Sequence, residues 1–204
     1  MRIKGIDTSE GYVTYAKKRI RDDRVHFIVA GAEAIPDSPD CYDSVVSGLV
    51  LNFIPKPEQA VREMARVAKQ GSSVAAYVWD YAGKMQLMRH FWNAAAALDP
   101  RATELDEGRR FPLCNPDALK ELFLSSGLTA AEVVAIDIAT DFRNFDDYWT
   151  PILGGQGPAP TYAMSLSEER RLALRERIRN ALPFAVDGSI PLVARAWAVR
   201  GVRP

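Results

Sequence analysis

Short apolar runs alternate with amphipathic segments along the chain. Six runs rich in β-branched and aromatic residues are typical of strands. We predict strands at residues 3–6, 25–29, 44–51, 73–79, 133–138 and 193–199. Five segments carry apolar residues at helical spacing, and we predict helices at residues 9–21, 57–70, 84–97, 115–126 and 167–181. This order of elements indicates an α/β fold with a doubly wound, mostly parallel sheet and helices on both faces.

Local signals predict where several elements end and which faces they bury. Pro57 and Pro116 stand where a helix accepts proline in its first turn, and Gly71 is predicted to be the left-handed cap of the helix that Pro57 opens. The strand at 44–51 is expected to be buried. The apolar face of the first helix is predicted to comprise Tyr12, Val13, Ala16 and Ile20.

Two stretches are predicted to lack regular structure. Residues 99–110 are polar and charged, and they are predicted to be an exposed connection. Residues 154–160 are rich in glycine and proline, which indicates a loop. The chain of 204 residues suffices for one α/β domain. We predict a single domain with its core at residues 1–83, 115–140 and 190–200 and a helical elaboration at 84–114 and 141–185.

Charge and cysteine usage indicate a cytoplasmic protein. Lys and Arg together number 26, as do Asp and Glu, so no net charge draws the chain to nucleic acid or to an anionic membrane. No run approaches the roughly 18 apolar residues of a membrane span, and no signal segment is recognised at the start. Cys41 and Cys114 are isolated, as is usual in a reducing compartment. We therefore predict no nucleic-acid partner and no membrane partner.

Asp7 is the first candidate binding residue. It follows the first predicted strand and precedes Ser9, which can cap a helix. Ligands of open parallel sheets bind outside the carboxyl ends of strands, where a carboxylate can accept hydrogen bonds from both hydroxyls of a ribose. The alternative is an acid that interacts favourably with the dipole of the following helix.

An ordered series of stretches carries a family likeness. The stretches are Gly5-Ile6-Asp7-Thr8-Ser9, Ala32-Glu33-Ala34-Ile35-Pro36, Tyr42-Asp43-Ser44-Val45-Val46-Ser47, Asn52-Phe53-Ile54-Pro55-Lys56-Pro57, the helix from Ala60 to Val67, and Asn115-Pro116-Asp117-Ala118-Leu119 through Ser126-Gly127-Leu128. This series resembles the class I S-adenosylmethionine-dependent methyltransferases, in the small-molecule group often called methyltransferase type 11. The resemblance covers roughly residues 3–138 and the last strand. It implies a Rossmann-like sheet that ends in an antiparallel strand pair.

The resemblance also implies a cofactor, S-adenosylmethionine, with S-adenosylhomocysteine as the product. Asp7 and Thr8 match the family's ribose-binding position, and Ala32 and Glu33 match the segment beside the adenine. Ser47 and Gly48 end a strand on the expected cofactor side. Alternatively, Glu33 is a solvated carboxylate on a loop. For Gly48 the alternative is that glycine only relieves crowding by a neighbouring side chain.

The sequence departs from the family pattern in two ways. The family's glycine-rich loop, with the strand before it and the helix after it, would precede residue 3. Gly31 stands where the family tends to place an aspartate. For the missing strand we expect either direct closure of its two neighbours, the strands at 3–6 and 44–51, or replacement by a strand of a partner chain, as in a homodimer. Met1 as an internal start is a further alternative.

The acceptor site is predicted in the second half of the chain. Tyr81 and His90 are the candidate catalytic residues. A histidine near its ordinary pKa, such as His90, suits a general base. Aromatic residues there can form a substrate pocket, or they can be plain core. They are Tyr81, Phe91, Trp92, Tyr148 and Trp149. A lone helical histidine is also commonly structural.

We therefore predict a methyltransferase with a small-molecule acceptor. The Asn52–Pro55 stretch lacks the signature of amino-group methylases that act on DNA. A Rossmann-type dehydrogenase also uses an acid at a strand end, as Asp7 would be, to bind a ribose. The late strand pair and the turn at 52–57 favour the methyltransferase. The alternative from another class is a non-catalytic scaffold or interaction protein that keeps the fold and no longer binds cofactor.

Overall fold

The computed structural model describes residues 2–204, so Met1 and its predicted role as an internal start lie outside it. The strands are β1 Ile3–Asp7, β2 Val25–Val29, β3 Tyr42–Gly48, β4 Ala68–Trp79, β5 Thr129–Phe142 and β6 Ile190–Val202. The α-helices are α1 Glu10–Arg19, α2 Pro57–Val67, α3 Gln86–Leu98, α4 Glu107–Arg110, α5 Pro116–Ser125, α6 Phe145–Gly154, α7 Pro158–Ser165 and α8 Glu168–Ala181. Short 3₁₀ turns lie at Leu51–Phe53 and Pro100–Glu104.

The strands form two hydrogen-bonded sheets. One sheet contains β1 and β2, which are parallel, and the other has the order β3-β4-β6-β5 with β3 and β4 parallel. Gly71 N–H donates to the carbonyl of Arg203, and Asp80 N–H donates to that of Arg195, so β4 and β6 run antiparallel. This confirms the predicted Rossmann-like α/β architecture with an antiparallel strand near its end.

The prediction that the strands flanking the missing one close directly onto each other is wrong. These strands are β1 and β3, and they belong to different sheets. Each is hydrogen-bonded on one side to another strand of this chain, β1 to β2 and β3 to β4. The second expectation, a strand from a partner chain, stays a prediction.

The chain divides into two compact units. The first takes in the chain up to Tyr77 together with Leu119–Val133 and Val199–Pro204, and the second consists of Val78–Ala118 and Val134–Ala198. In the first unit, α2 begins with a proline at its first position, and every third or fourth residue of the helix is buried. These buried residues are Ala60, Val61, Met64 and Val67. The single-domain division of the chain stays a prediction.

The end of α2 differs from the predicted one. The helix ends at Val67, and β4 begins at Ala68, so Gly71 lies inside a strand rather than at a helix cap. Its φ of +76° is the left-handed conformation that glycine adopts at little cost. The cause is Arg203, the residue that follows β6: its side chain donates hydrogen bonds to the carbonyls of Arg66 and Ala68, which holds this stretch in the sheet.

Apolar residues near the amino terminus are less buried than their pattern predicts. In α1 only Val13 is buried, whereas Tyr12 is 66% exposed and Ile20 is also exposed. The strand predicted at 44–51 ends at Gly48, and none of the residues of β3 is buried. The β1–β2 sheet has only two strands, so α1 has little apolar surface to pack against. In the other sheet β3 is an edge strand, with β4 as its one neighbour.

The second unit has a helical and aromatic core. Its buried residues come mainly from α3, α6, α7 and α8: Phe91, Trp92, Ala94, Ala95, Phe145, Tyr148, Trp149, Ile152, Ala159, Ala163, Leu174 and Ile178. The prediction of an exposed connection at 99–110 is wrong, because Ala102, Asp106 and Glu107 are buried there. The predicted loop at 154–160 is shorter than expected, since α7 begins at Pro158.

Within residues 2–204, none of the helices is long and apolar enough to span a bilayer. In the same part of the chain, Cys41 is exposed and Cys114 is buried, and the two are not joined by a disulfide. No three His, Cys, Asp or Glu side chains of the described residues converge as a metal site would require.

Candidate functional site

The first unit contains a cavity of about 380 Å³ between β1 and β3. This volume lies in the range of small-molecule sites, roughly 300–1,000 Å³. It is lined by the whole carboxyl half of β1 and most of β3, with further residues from the loop after β2 and from α2: Lys4, Gly5, Ile6, Asp7, Ala32, Ile35, Asp37, Tyr42, Ser44, Val45, Val46, Ser47, Gly48, Val50, Met64 and Val67.

Asp7 is the acid at the carboxyl end of β1, opposite Val29 of β2. Its Oδ1 accepts a hydrogen bond from Ser9 N–H at 2.7 Å, and Ser9 Oγ in turn accepts from Tyr12 N–H at 3.3 Å as the cap of α1. The carboxylate is therefore oriented by the start of the helix. Among the described residues, Oδ2 accepts no hydrogen bond, so Asp7 keeps acceptor capacity at the cavity.

Helix α2 ties down the loop that follows β2. The Ile35 N–H donates to Glu63 Oε2 at 2.9 Å, and the Arg66 guanidinium donates to the carbonyls of Ile35 and Asp37 at 2.8 and 2.7 Å. Arg66 also pairs with Glu63 at 2.6 Å, and this hydrogen bond lowers the pKa of the Glu63 carboxyl. The clamp positions the loop in which Ala32 lines the cavity.

Sequence reasoning did not give a role to this clamp. Glu63 and Arg66 lie three positions apart on α2, a spacing that indicates an ion pair along a helix but does not reveal its loop partners. Gln59 is a third member, since its Nε2 donates to the carbonyl of Glu33 at 2.9 Å. Glu33 itself does not line the cavity, and this hydrogen bond holds its backbone carbonyl.

A second polar group closes the cavity near the start of β1. Lys4 Nζ forms an ion pair with Asp37, and the Tyr42 hydroxyl donates to the other oxygen of Asp37 at 2.9 Å. The Lys4 hydrogen bond lowers the pKa of the Asp37 carboxyl, and the same bond raises the pKa of Lys4. The ammonium group of Lys4 and the carboxylate of Asp37 therefore neutralise each other.

The remaining predicted cofactor residues divide into two groups. Ser47 and Gly48 line the cavity at the end of β3, whereas Thr8 is exposed and does not line it. A Cβ at Gly48 would lie 2.6 Å from Tyr77 Oη, so crowding by that tyrosine is sufficient to account for the glycine. The structure thus brings together Asp7, Ala32, Ser47 and Gly48.

A separate cavity of about 220 Å³ lies within the second unit. Its walls come from α3, α6 and α7, and they include Phe91 and Tyr148 of the predicted aromatic pocket. Glu107 lines it as well, although it is only 5% exposed. Sequence reasoning missed Glu107 because it lies in a polar stretch that resembles a solvated loop.

The two predicted catalytic residues line neither of these cavities. His90 is half-buried on α3, and burial lowers its pKa, which favours the neutral imidazole at pH 7. Burial raises the pKa of the Tyr81 hydroxyl to about 12, and its ring packs against Phe111 with centroids 5.6 Å apart. Their catalytic roles stay predictions.

Comparisons with known proteins concern the fold of the chain. Residues 1–76 match the family model described as a methyltransferase domain. An S-adenosylmethionine-dependent methyltransferase of Thermotoga maritima superposes with a TM-score of 0.53 at 16% identity, over 100% of this chain and 73% of that one. The chain has a class I methyltransferase fold.

Two further comparisons extend the likeness of this methyltransferase fold. Phosphoethanolamine N-methyltransferase 2 of Haemonchus contortus, solved with phosphomonomethylethanolamine and S-adenosylhomocysteine, has a TM-score of 0.58 at 17% identity, over 100% of this chain and 44% of that one. Demethylmenaquinone methyltransferase of Halalkalibacterium halodurans is 36% identical over 75 residues, which are 35% of this chain and 31% of the relative. The match to curated relatives spans less than a third of their length.

Proposed function

We propose that this chain binds S-adenosylmethionine at the carboxyl ends of β1 and β3, where Asp7, Ala32, Ser47 and Gly48 line the cavity, and that it takes part in the methylation of a small molecule. The observation that carries the proposal is Asp7, which lies at the carboxyl end of a parallel strand, is hydrogen-bonded by Ser9 N–H and lines a cavity of suitable size. The match of residues 1–76 to a methyltransferase domain supports it.

The adenosine half of the cofactor fits the residues present. The ribose has two vicinal hydroxyls, and Asp7 offers the acceptor that they need. Ala32 lines the cavity beside it, and α2 holds the loop that contains Ala32 through Gln59 and Arg66. When bound, S-adenosylmethionine supplies a sulfonium whose methyl group is electrophilic.

The amino-acid half of the cofactor finds less support. Its carboxylate calls for a cation or for several N–H groups. Of the described residues that line the cavity, Lys4 is the one cationic side chain, and it is already paired with Asp37. We therefore propose that this chain supplies the adenosine part of the site, and that the carboxylate is held by groups outside the described cavity lining.

Calorimetric titration with S-adenosylhomocysteine tests the proposal. We expect micromolar binding to the full chain, a loss of at least about tenfold in Asp7→Asn, and no change in the matched variant Asp23→Asn, whose carboxylate is exposed on the loop before β2. Circular dichroism verifies that each variant is folded. Equal affinity in both variants, or no heat at millimolar ligand with folded protein, would overturn it.

A second candidate function, an interaction protein, is favoured by exposed apolar residues in the first unit. Tyr12 is 66% exposed and Val46, on β3, is 63% exposed. Such residues, beside strand edges, suit association with another polypeptide, and a second copy in a homodimer is the partner that we propose. Light scattering tests this proposal. A dimer that Val46→Lys dissociates supports it, and a protein that is monomeric even at millimolar concentration excludes the homodimer.

A further inference from the structure

The cavity in the second unit is built mainly from apolar and aromatic surfaces. Leu87, Met88 and Phe91 of α3 form one wall. Phe142, at the end of β5, and Tyr148 of α6 contribute further rings, and α7 contributes Ala159 and Pro160. The Tyr148 hydroxyl donates to the carbonyl of Leu87 at 2.8 Å, which fixes its ring as part of the lining.

Glu107 and Gln156 are polar members of this lining, and Glu107 is the buried one. It is the one carboxylate among the described residues that line the cavity. Its Oε2 accepts a hydrogen bond from Trp92 Nε1, and the Trp92 side chain is itself 1% exposed. The nearby cation Arg89 is paired with Asp106 instead, and Glu107 forms no ion pair within the described part of the chain.

Burial of this carboxyl has a cost that packing alone does not explain. Removing a carboxylate from water is unfavourable unless it is paired, and an apolar side chain of similar size would fill the same space. Burial correspondingly raises the pKa of Glu107. A ligand that hydrogen-bonds to the carboxyl would offset this cost, and so the residue suits a binding role.

The size and lining of the cavity define the class of ligand. An apolar protein cavity of about 150 Å³ is large enough to bind benzene, so 220 Å³ accommodates one six-membered ring with small substituents. The three rings of Phe91, Phe142 and Tyr148 favour an aromatic ligand. A hydroxyl group suits Glu107, because it can donate to the carboxylate or accept from the protonated acid.

We propose that this cavity binds a small phenol, with its ring among Phe91, Phe142 and Tyr148 and its hydroxyl hydrogen-bonded to Glu107. A neutral hydroxyl loses less hydration free energy than an ammonium group on leaving water, which favours a phenol over an amine. The binding itself is independent of cofactor. That the bound phenol is the methyl acceptor rests on the proposed function above.

Binding of p-cresol and toluene, followed by ligand-observed NMR and calorimetry, tests the proposal. The two probes share the ring and methyl group and differ in the hydroxyl. We expect p-cresol to bind the full chain about tenfold more tightly than toluene, and Glu107→Leu to remove that preference. Glu107→Gln, which keeps an acceptor for Trp92, should weaken p-cresol binding severalfold and leave toluene unchanged. The exposed Glu104→Gln is the matched control and should behave as wild type.

Three results would overturn the inference. They are toluene binding as tightly as p-cresol, unchanged p-cresol affinity in folded Glu107→Leu and Glu107→Gln, and no binding of p-cresol at millimolar concentration. The titration with S-adenosylhomocysteine is run on the same variants. Because Asp7 governs that titration and Glu107 governs this one, failure of the inference and failure of the proposed function are distinguished.

Discussion

The indole N–H of Trp92 donates a hydrogen bond to the carboxyl of Glu107 and thereby joins α3 to α4. Both side chains are buried, and Phe91, the neighbour of Trp92, packs edge-on against its ring at 5.0 Å. This contact converts a stretch that is polar in sequence into part of a core. It also holds an acid at the wall of an apolar cavity.

The buried acid gives the first prediction, a pH-dependent effect of Glu107→Gln. Burial raises the folded-state pKa of Glu107 above its ordinary value of 4.5, and Asp106 adds to the rise. Hydrogen bonds from its own backbone and from Trp92, together with the charge of Arg89, oppose it. The folded protein therefore holds this proton more tightly, and the resulting stabilisation is present below the unfolded pKa and lost as pH rises through the folded pKa. Glutamine carries no charge at any pH.

We therefore expect Glu107→Gln to gain stability relative to wild type as pH rises from 4 to 8. Thermal unfolding followed by circular dichroism measures the difference in melting temperature at each pH. The exposed Glu104→Gln should show no such trend. A difference that stays constant between pH 4 and pH 8 would contradict the assignment of a buried, raised-pKa carboxyl.

The second prediction concerns the clamp between α2 and the loop after β2. Arg66→Lys loses the fork that reaches two loop carbonyls and Glu63. We expect the free energy of unfolding to fall by about 1–3 kcal/mol in urea denaturation. The exposed Arg62→Lys, on the same helix, should change it by no more than about 0.5 kcal/mol.

The same clamp predicts that the effect of Arg66→Lys on stability depends on pH. Hydrogen bonding to Arg66 lowers the pKa of Glu63 below its ordinary 4.5, so its contribution is present above that value and is lost as pH falls through the folded pKa. The destabilisation by Arg66→Lys should therefore shrink below pH 4. An undiminished penalty at pH 3 would show that the lost fork acts through the loop carbonyls alone.

The third prediction is that β1 and β2 are the least protected strands. Neither strand contains a buried residue, and they form a two-stranded sheet. By contrast, β4 contains the buried residues Ala68, Val74, Ala76 and Val78. Hydrogen exchange should be faster in β1 and β2 than in β4. Equal protection would indicate that the first sheet is covered in solution, and protection that grows with protein concentration would support the homodimer.

The sequence predicted the elements better than their surroundings. The start of α2 and both ends of β2 followed from the local spacing of apolar residues and from Pro57. Gly71 was misassigned because its conformation depends on Arg203, more than a hundred residues away. Glu107 was missed for the same reason, since only the fold brings Trp92 to it.

In the candidate site, too, some residues could be predicted from the sequence and others could not. Asp7 was predictable because a strand end, an acid and a helix cap follow one another in sequence. Ala32, Ser47 and Gly48 were placed by family resemblance, and they line the same cavity. Thr8 and Glu33 do not line it, since residues next to one another in a turn point in different directions. The clamp of Glu63 and Arg66 needed the structure.

Chemical-shift perturbation of the ¹⁵N-labelled protein maps most directly where S-adenosylhomocysteine binds. If the cofactor lies at Asp7, the largest amide shifts occur at residues 5–9, 31–33 and 46–49. Asp7→Asn should then remove these shifts, and Asp23→Asn should leave them in place. Binding that shifts amides elsewhere, for example around the Glu107 cavity, and leaves those three segments unperturbed would contradict binding at Asp7.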